Sequence, residues 1–189
     1  FVDRFEDTIA KYTGAKFSIA TSNGTSALHI SLILANVSKD CEVITQPLTF
    51  VATCNAINYC NAKPVFVDVG NDLNIDPNKI EKAITKKTKA IMPVHWGGRI
   101  CEMDTITKIA NKYKIFVIED AAQGMGSYYR GKHSGTFGKV SAFSAHPLKN
   151  LGAIGDSGFI VTNDKEIFNK IKLYRNHGLV SRDKTSFFG

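Results

Sequence analysis

The chain has 189 residues, 43% hydrophobic and 22% charged, enough for one substantial core and short for two full domains. Its 24 Lys and Arg against 17 Asp and Glu give a formal charge of +7 that suits an anionic ligand, but the basic residues are dispersed, and no aromatic-interleaved stripe argues for nucleic acid. No apolar run approaches the roughly 20 residues of a membrane span, no leader-like segment precedes the first helix, and Cys41, Cys54, Cys60 and Cys101 lack both metal-site spacing and disulfide-scaffold density, so the expectation is a cytoplasmic chain with reduced thiols and no membrane partner.

Along the chain, Val2, Phe5, Ile9 and Tyr12 recur at helical spacing and stop at Gly14, a helix with its C′ glycine. A short strand at Phe17 to Ala20 leads through Ser22-Asn23-Gly24-Thr25-Ser26 into an apolar helix from about Ala27 to Ala35. Glu42 to Thr45 is a β-branched run, and Thr49 to Tyr59 reads as helix. Val65 to Val69 is a strand, and Pro77 opens a helix that runs to about Thr85. Ala90 to His95 is strand, Met103 to Tyr113 helix, and Ile115 to Ile118 a continuous apolar strand that ends in Glu119-Asp120. Val140 to Ser144 and Phe159 to Thr162 add two strands before Asp164 caps a last helix with Ile167, Phe168, Ile171 and Leu173 on its apolar side. Asn176 to Gly189 is polar and without period. The βα rhythm, with strands apolar on both faces, predicts an α/β fold with a mainly parallel sheet flanked by helices, in one domain.

Ligands of open α/β sheets sit beyond the carboxyl ends of the strands, which singles out Ser22 to Ser26, Gln46 to Phe50, Glu119 to Gln123 and Ser144 to Asn150. The first has hydroxyls and small residues at a strand-to-helix turn, which fits either a plain N-cap or a phosphate held on free amides. Asp120 is either a strand-end cap or a carboxylate at the floor of a site. By residue type alone Phe50 reads as core and the isolated Lys149 as a surface charge. Gly131 to Lys139 lacks the glycine and the hydroxyl residue of a P-loop, having His133 and Val140 in their places. His95, His146 and Cys101 have metal-ligand side chains without the spacing of a zinc motif, so no metal is expected.

Six ordered blocks carry a resemblance that spans almost the whole chain: residues 22–29, 47–53, 63–69, 118–123, 146–152 (His-Pro-Leu-Lys-Asn-Leu-Gly) and 175–178. Together they resemble the DegT/DnrJ/EryC1/StrS family of sugar aminotransferases, which implies the large domain of the aspartate aminotransferase fold (type I) and pyridoxal 5'-phosphate as cofactor. By that resemblance Lys149 is the Schiff-base lysine and proton carrier, and Asp120 pairs with the cofactor's ring nitrogen. Gln123 bonds the 3-hydroxyl, and Thr25, Ser26 and Ser144, with the turn at Gly24, hold the phosphate. Phe50 stacks on the ring. The implied reaction takes an amino group from an amino acid, usually glutamate, and places it on a nucleotide-linked keto sugar for amino-sugar or surface-polysaccharide synthesis, in a homodimer with shared sites. Lys149 favours transfer over the dehydration carried out by relatives with histidine at its position.

Three departures accompany the match. Family members run to nearly twice this length, so residues 1–189 are expected to be the cofactor-binding large domain, without the C-terminal small domain. This leaves open a cofactor-binding or dimerising fragment without turnover. The start, inside a helix, points the same way, and Ala145 stands where the family commonly has an aromatic residue.

Overall fold

A computed structural model describes residues 1–187; Phe188 and Gly189, the end of the segment read as aperiodic, lie outside the described residues. Helix α1 (Val2–Thr13) ends on Gly14 in the left-handed conformation at φ 74°, whose N–H returns to the Ala10 carbonyl. It is followed by β1 (Phe17–Thr21), α2 (Gly24–Leu34), β2 (Glu42–Thr45), α3 (Val51–Tyr59), β3 (Lys63–Phe66), α4 (Pro77–Ala83) and β4 (Thr88–Ile91). A 3₁₀ turn (Trp96–Gly98), α5 (Met103–Tyr113), β5 (Phe116–Asp120) and the hairpin β6 (Tyr128–Tyr129) and β7 (Lys132–His133) come next. The chain closes with β8 (Val140–Ser144), β9 (Gly158–Thr162), α6 (Lys165–Arg175), β10 (Leu179–Ser181) and β11 (Lys184–Thr185).

Seven strands form one sheet in the order β1-β9-β8-β5-β4-β2-β3, parallel from β8 to β3, with β9 antiparallel to both its neighbours. The predicted α/β class with a mainly parallel sheet is therefore the observed one. Leu28 and Leu32 of α2, Ala56 and Ile57 of α3 and Ile171 of α6 pack on one face, against Val43, Ile118 and Ile160. The other face is covered at one end by Ile80 of α4 with Met103, Ile106 and Ile109 of α5, and at the other by Ile9 of α1 over Phe143 and Phe159, whose rings stack at 4.8 Å. Pro64 is accommodated because β3 is an edge strand that, among the described residues, pairs with β2 alone.

The predicted elements shift at several boundaries, each for a local reason. Helix α2 starts at Gly24, not Ala27, because the Asn23 side chain accepts the Ser26 N–H at 2.8 Å and caps it three residues early. The strand predicted over residues 65–69 lies at Lys63–Phe66, and Val69 instead bridges Ile75 across a turn. The one predicted at Ala90 to His95 ends at Ile91, after which Met92 to His95 climbs past the sheet edge towards the 3₁₀ turn. Within the segment read as aperiodic, Leu179–Ser181 pairs with Lys184–Thr185.

One buried carboxylate joins several of these pieces. Glu119 accepts the N–H groups of Phe137 (2.8 Å), Gly138 (2.6 Å) and Gly135 (2.8 Å) and the Ser141 hydroxyl (2.9 Å), and its Oε2 lies 2.9 Å from His95 Nε2. His95 Nδ1 accepts the Cys101 N–H at 3.3 Å, so Nε2 carries the proton given to Glu119. Burial pushes the Glu119 carboxyl up, but the hydrogen bond from His95 and the amides of Gly138 and Gly135 outweigh it and hold the group below the ordinary glutamate range. The three loop amides a P-loop would turn towards phosphate are thereby already taken by Glu119.

Because the folded-state pKa lies below the unfolded one, the stability Glu119 contributes is complete above the ordinary value of 4.5 and is lost as pH falls through the lower folded value. We expect Glu119→Gln to lower the unfolding free energy near neutral pH by about 3 kcal/mol and to flatten the loss of stability below pH 4.5, measured by urea unfolding across pH.

Candidate active site

A cavity of about 550 Å³ opens at the carboxyl ends of the parallel strands, between the start of α2, the start of α3 and the loop after β8. Its wall contains Gly24, Thr25, Phe50, Asp120, Gln123, Ser144 and Lys149, seven of the eight positions singled out from the sequence. The eighth, Ser26, is not brought to it: its N–H is held by Asn23, and its hydroxyl lies 3.1 Å from that of Ser22.

Asp120 ends β5 and is 4% exposed, so it is a carboxylate at the cavity floor and not a solvated cap. Oδ2 accepts the Thr53 hydroxyl at 2.7 Å, and Oδ1 accepts the Ala122 N–H at 3.2 Å. Its backbone is pinned on the other side, N–H to the Pro93 carbonyl at 2.9 Å and carbonyl to the His95 N–H at 3.1 Å. Burial raises its pKa, against the pull of the Thr53 and Ala122 hydrogen bonds and the charge of Lys149. A buried carboxylate facing a cavity under that penalty is a good acceptor for a cationic N–H on a ligand.

Gln123 has its Oε1 fixed by the Gly97 N–H at 2.9 Å, which leaves the amide NH₂ as its free donor. Lys149 sits in a tight turn, its N–H bonded to the His146 carbonyl at 2.8 Å and its own carbonyl accepting from Gly152 at 2.9 Å. Phe50 is the N-cap residue of α3 and 65% exposed, which settles its two readings against core. Ala145, by contrast, is buried beside Phe143 and Phe159.

The end of the cavity at α2 is shaped by two close approaches. A Cβ on Gly24 would lie 2.8 Å from Ser144 Cβ, and one on Gly158 would lie 2.6 Å from both Asn23 O and Gly24 N. Only glycines let β8 and β9 pack this tightly under the helix start. The amides of Gly24 and Thr25, in the first turn of an 11-residue helix, have no acceptor within the helix and lie beside the hydroxyls of Thr25 and Ser144. This cradle of amides and hydroxyls at a positive helix end fits a phosphate, and the Asp120, Gln123 and Lys149 side chains fit the ring, hydroxyl and aldehyde of pyridoxal phosphate.

Sequence reasoning missed several wall residues. Thr49 and Thr53 lie in the matched block 47–53, and Thr49 also in the singled-out segment Gln46 to Phe50, but neither was given a role; Asp156 lies in a loop without a motif, and His146, within the segment Ser144 to Asn150, was weighed individually as a metal ligand. Gln46, in a segment marked for inspection, is structural: buried, it accepts from Ile75 N at 3.0 Å and donates to Leu48 O at 3.0 Å. His95 and Cys101 are turned to Glu119 and to the Val94 carbonyl.

The sequence profile of the DegT/DnrJ/EryC1/StrS aminotransferase family matches residues 1–189. GDP-perosamine synthase of Caulobacter vibrioides is 44% identical over 95% of the chain and 48% of its own length. UDP-2-acetamido-2-deoxy-3-oxo-D-glucuronate aminotransferase of Pseudomonas aeruginosa is 44% identical over 94% and 50%. Among solved structures, NtdA from Bacillus subtilis, with bound cofactor PMP, superposes with a TM-score of 0.94 at 38% identity, covering 100% of this chain and 43% of that one. The chain thus spans about half the length of the curated relatives it matches.

Gly158→Ala is expected to lower the unfolding free energy by about 1–3 kcal/mol, since the new methyl meets backbone that cannot yield without moving the helix start. Gly155→Ala, where nothing lies within 4 Å, is expected to stay within about 0.5 kcal/mol of the parent in the same urea titration.

Proposed function

Because the chain belongs to the DegT/DnrJ/EryC1/StrS aminotransferase family, we propose that it is the cofactor-binding large domain of a pyridoxal-phosphate-dependent enzyme that places an amino group on a nucleotide-linked keto sugar. The observation that carries this reading is the convergence of Lys149, Asp120, Gln123, Thr25 and Ser144 on one cavity from three separate stretches of sequence. The names of the perosamine synthase and the oxo-glucuronate aminotransferase support a nucleotide-linked sugar as acceptor. Glutamate as donor, a homodimer with shared sites and a cytoplasmic, biosynthetic setting complete the reading.

When bound, the cofactor supplies an aldehyde that links to amines and a ring that takes up the electrons released at the neighbouring carbon. The chain's residues do the rest. Lys149 Nζ is the amine assigned to anchor the aldehyde and, once displaced by the incoming amine, to carry the proton to and from the substrate carbon. Asp120 holds a proton on the ring nitrogen by hydrogen bond and charge, while Gln123 donates to the ring hydroxyl through the amide end that Gly97 leaves free. The amides of Gly24 and Thr25 and the hydroxyls of Thr25 and Ser144 take the phosphate; Ser26 is left out because Asn23 occupies its N–H. Phe50 flanks the ring from the exposed side, where it helps exclude water. His146, Leu148 and Asp156 form the outer wall, where the sugar enters.

The test is to add pyridoxal phosphate to the purified protein, reduce with borohydride and locate the adduct by peptide mass, with and without prior glutamate. An adduct on Lys149 that glutamate prevents is the expected result. An adduct on another lysine, or none on folded protein, would overturn the assignment. Lys149→Ala is expected to abolish trapping and to slow amino transfer at least about 10²-fold.

A further inference from the structure

We infer that Thr53 is a positioning residue for Asp120, and that Thr49 acts through it, the two hydroxyls forming a directed relay that fixes the plane of the Asp120 carboxylate at the cavity floor. The inference rests on the reading of Asp120 as the partner of the cofactor's ring nitrogen. Thr53 lies in the first turn of α3 and is 1% exposed, with its hydroxyl 2.7 Å from Asp120 Oδ2. A carboxylate oxygen only accepts, so the single Thr53 proton is committed to Asp120. Thr49 Oγ1 lies 2.6 Å from Thr53 Oγ1, and with the Thr53 proton already placed, Thr49 is the donor of that pair. The order is therefore Thr49 to Thr53 to Asp120, with each hydroxyl polarising the next.

This arrangement does two things that packing alone would not. With the Ala122 N–H on Oδ1, it holds both carboxylate oxygens and leaves their remaining lone pairs for the cavity. It also favours the ionised carboxyl in a place where burial opposes it, and of the groups that pull the Asp120 pKa down, Thr53 is the strongest. Since Thr49 also lines the cavity, an occupant of the site can touch the outer end of the relay.

The experiment compares the parent with Thr53→Val, Thr53→Ser and Thr49→Val. One readout is the titration of the Asp120 side-chain carbon in the cofactor-free protein by carbon-13 NMR, assigned through Asp120→Asn. The other is the Kd for pyridoxal phosphate by absorbance. In Thr53→Val, which keeps the side-chain shape, the Asp120 midpoint should rise by about one unit and the Kd by about tenfold. Thr53→Ser should restore both, and Thr49→Val should shift both the same way by less. Parent-like values in Thr53→Val, or a serine variant as impaired as the valine one, would overturn the relay. Should Thr53→Val not fold, Thr49→Val decides, because it leaves the buried Thr53 methyl in place, and an unchanged midpoint there counts against the proposal. A parent that shows the midpoint shifts but binds no pyridoxal phosphate would uphold the relay and remove the cofactor reading. Binding by the parent with no midpoint shift in any variant would do the reverse.

Discussion

The structure turns on the fact that successive residues of a strand face opposite sides, applied at the last two residues of β5. Phe116, Ile118 and Asp120 point to the side covered by α2 and α3, while Val117 and Glu119 point to the other. Two adjacent carboxylates, which would repel if they shared an environment, are thereby separated by the sheet. Glu119 is surrounded by five donors and fastens the loop ahead of β8 and the start of the 3₁₀ turn. Asp120 is left with two donors and an open side. A register slip of one residue would exchange them, placing a fully satisfied anchor in the cavity and the unsatisfied carboxylate among loop amides.

The same division explains how the cavity stays rigid without being closed. Its floor and its α2 end are built from backbone held by the sheet: Asp120 between Pro93 and His95, and Gly24 pressed on Ser144 and Gly158. Its outer wall is built from loops, with Leu148 89% exposed. Asp120, Gly24, Thr25 and Ser144 lie on strands and helix starts, whereas Gln123, Lys149 and the outer wall lie on connections.

Much of this was legible in sequence: Val140 to Ser144 was bounded as observed, and Asp164 caps α6 through Glu166 and Ile167 as its type suggests. What was not legible has physical causes. Gly24 is a poor helix former, so a reading by propensity began α2 at Ala27, whereas the Asn23 cap and the close approach of Ser144 decide the start. Met92 to His95 looks like strand because it is buried and keeps isolated strand-like bonds, Met92 N–H to Ile44 and a bridge of Val94 to Asp120, but these do not make a continuous ladder. Two-residue strands such as Lys132–His133 are too short to show a period. Within the site, Asp120 and Lys149 emerge from their positions after strands, while Thr53 hides on a helix whose hydroxyl residues look incidental until its partner 67 residues away is placed.

The pairing of β1 with β9 also bears on how the chain comes together. Among the described residues, Phe17 to Thr21 have Thr162 to Gly158 as their single strand neighbour. As the chain is made, β2 to β5 can find one another soon after they emerge, but β1 must wait for β9 before its strand amides are satisfied. Closing that long loop carries an entropy cost that the more local pairings among β2 to β5 do not, and until it is met the amides of β1 lack their strand partner.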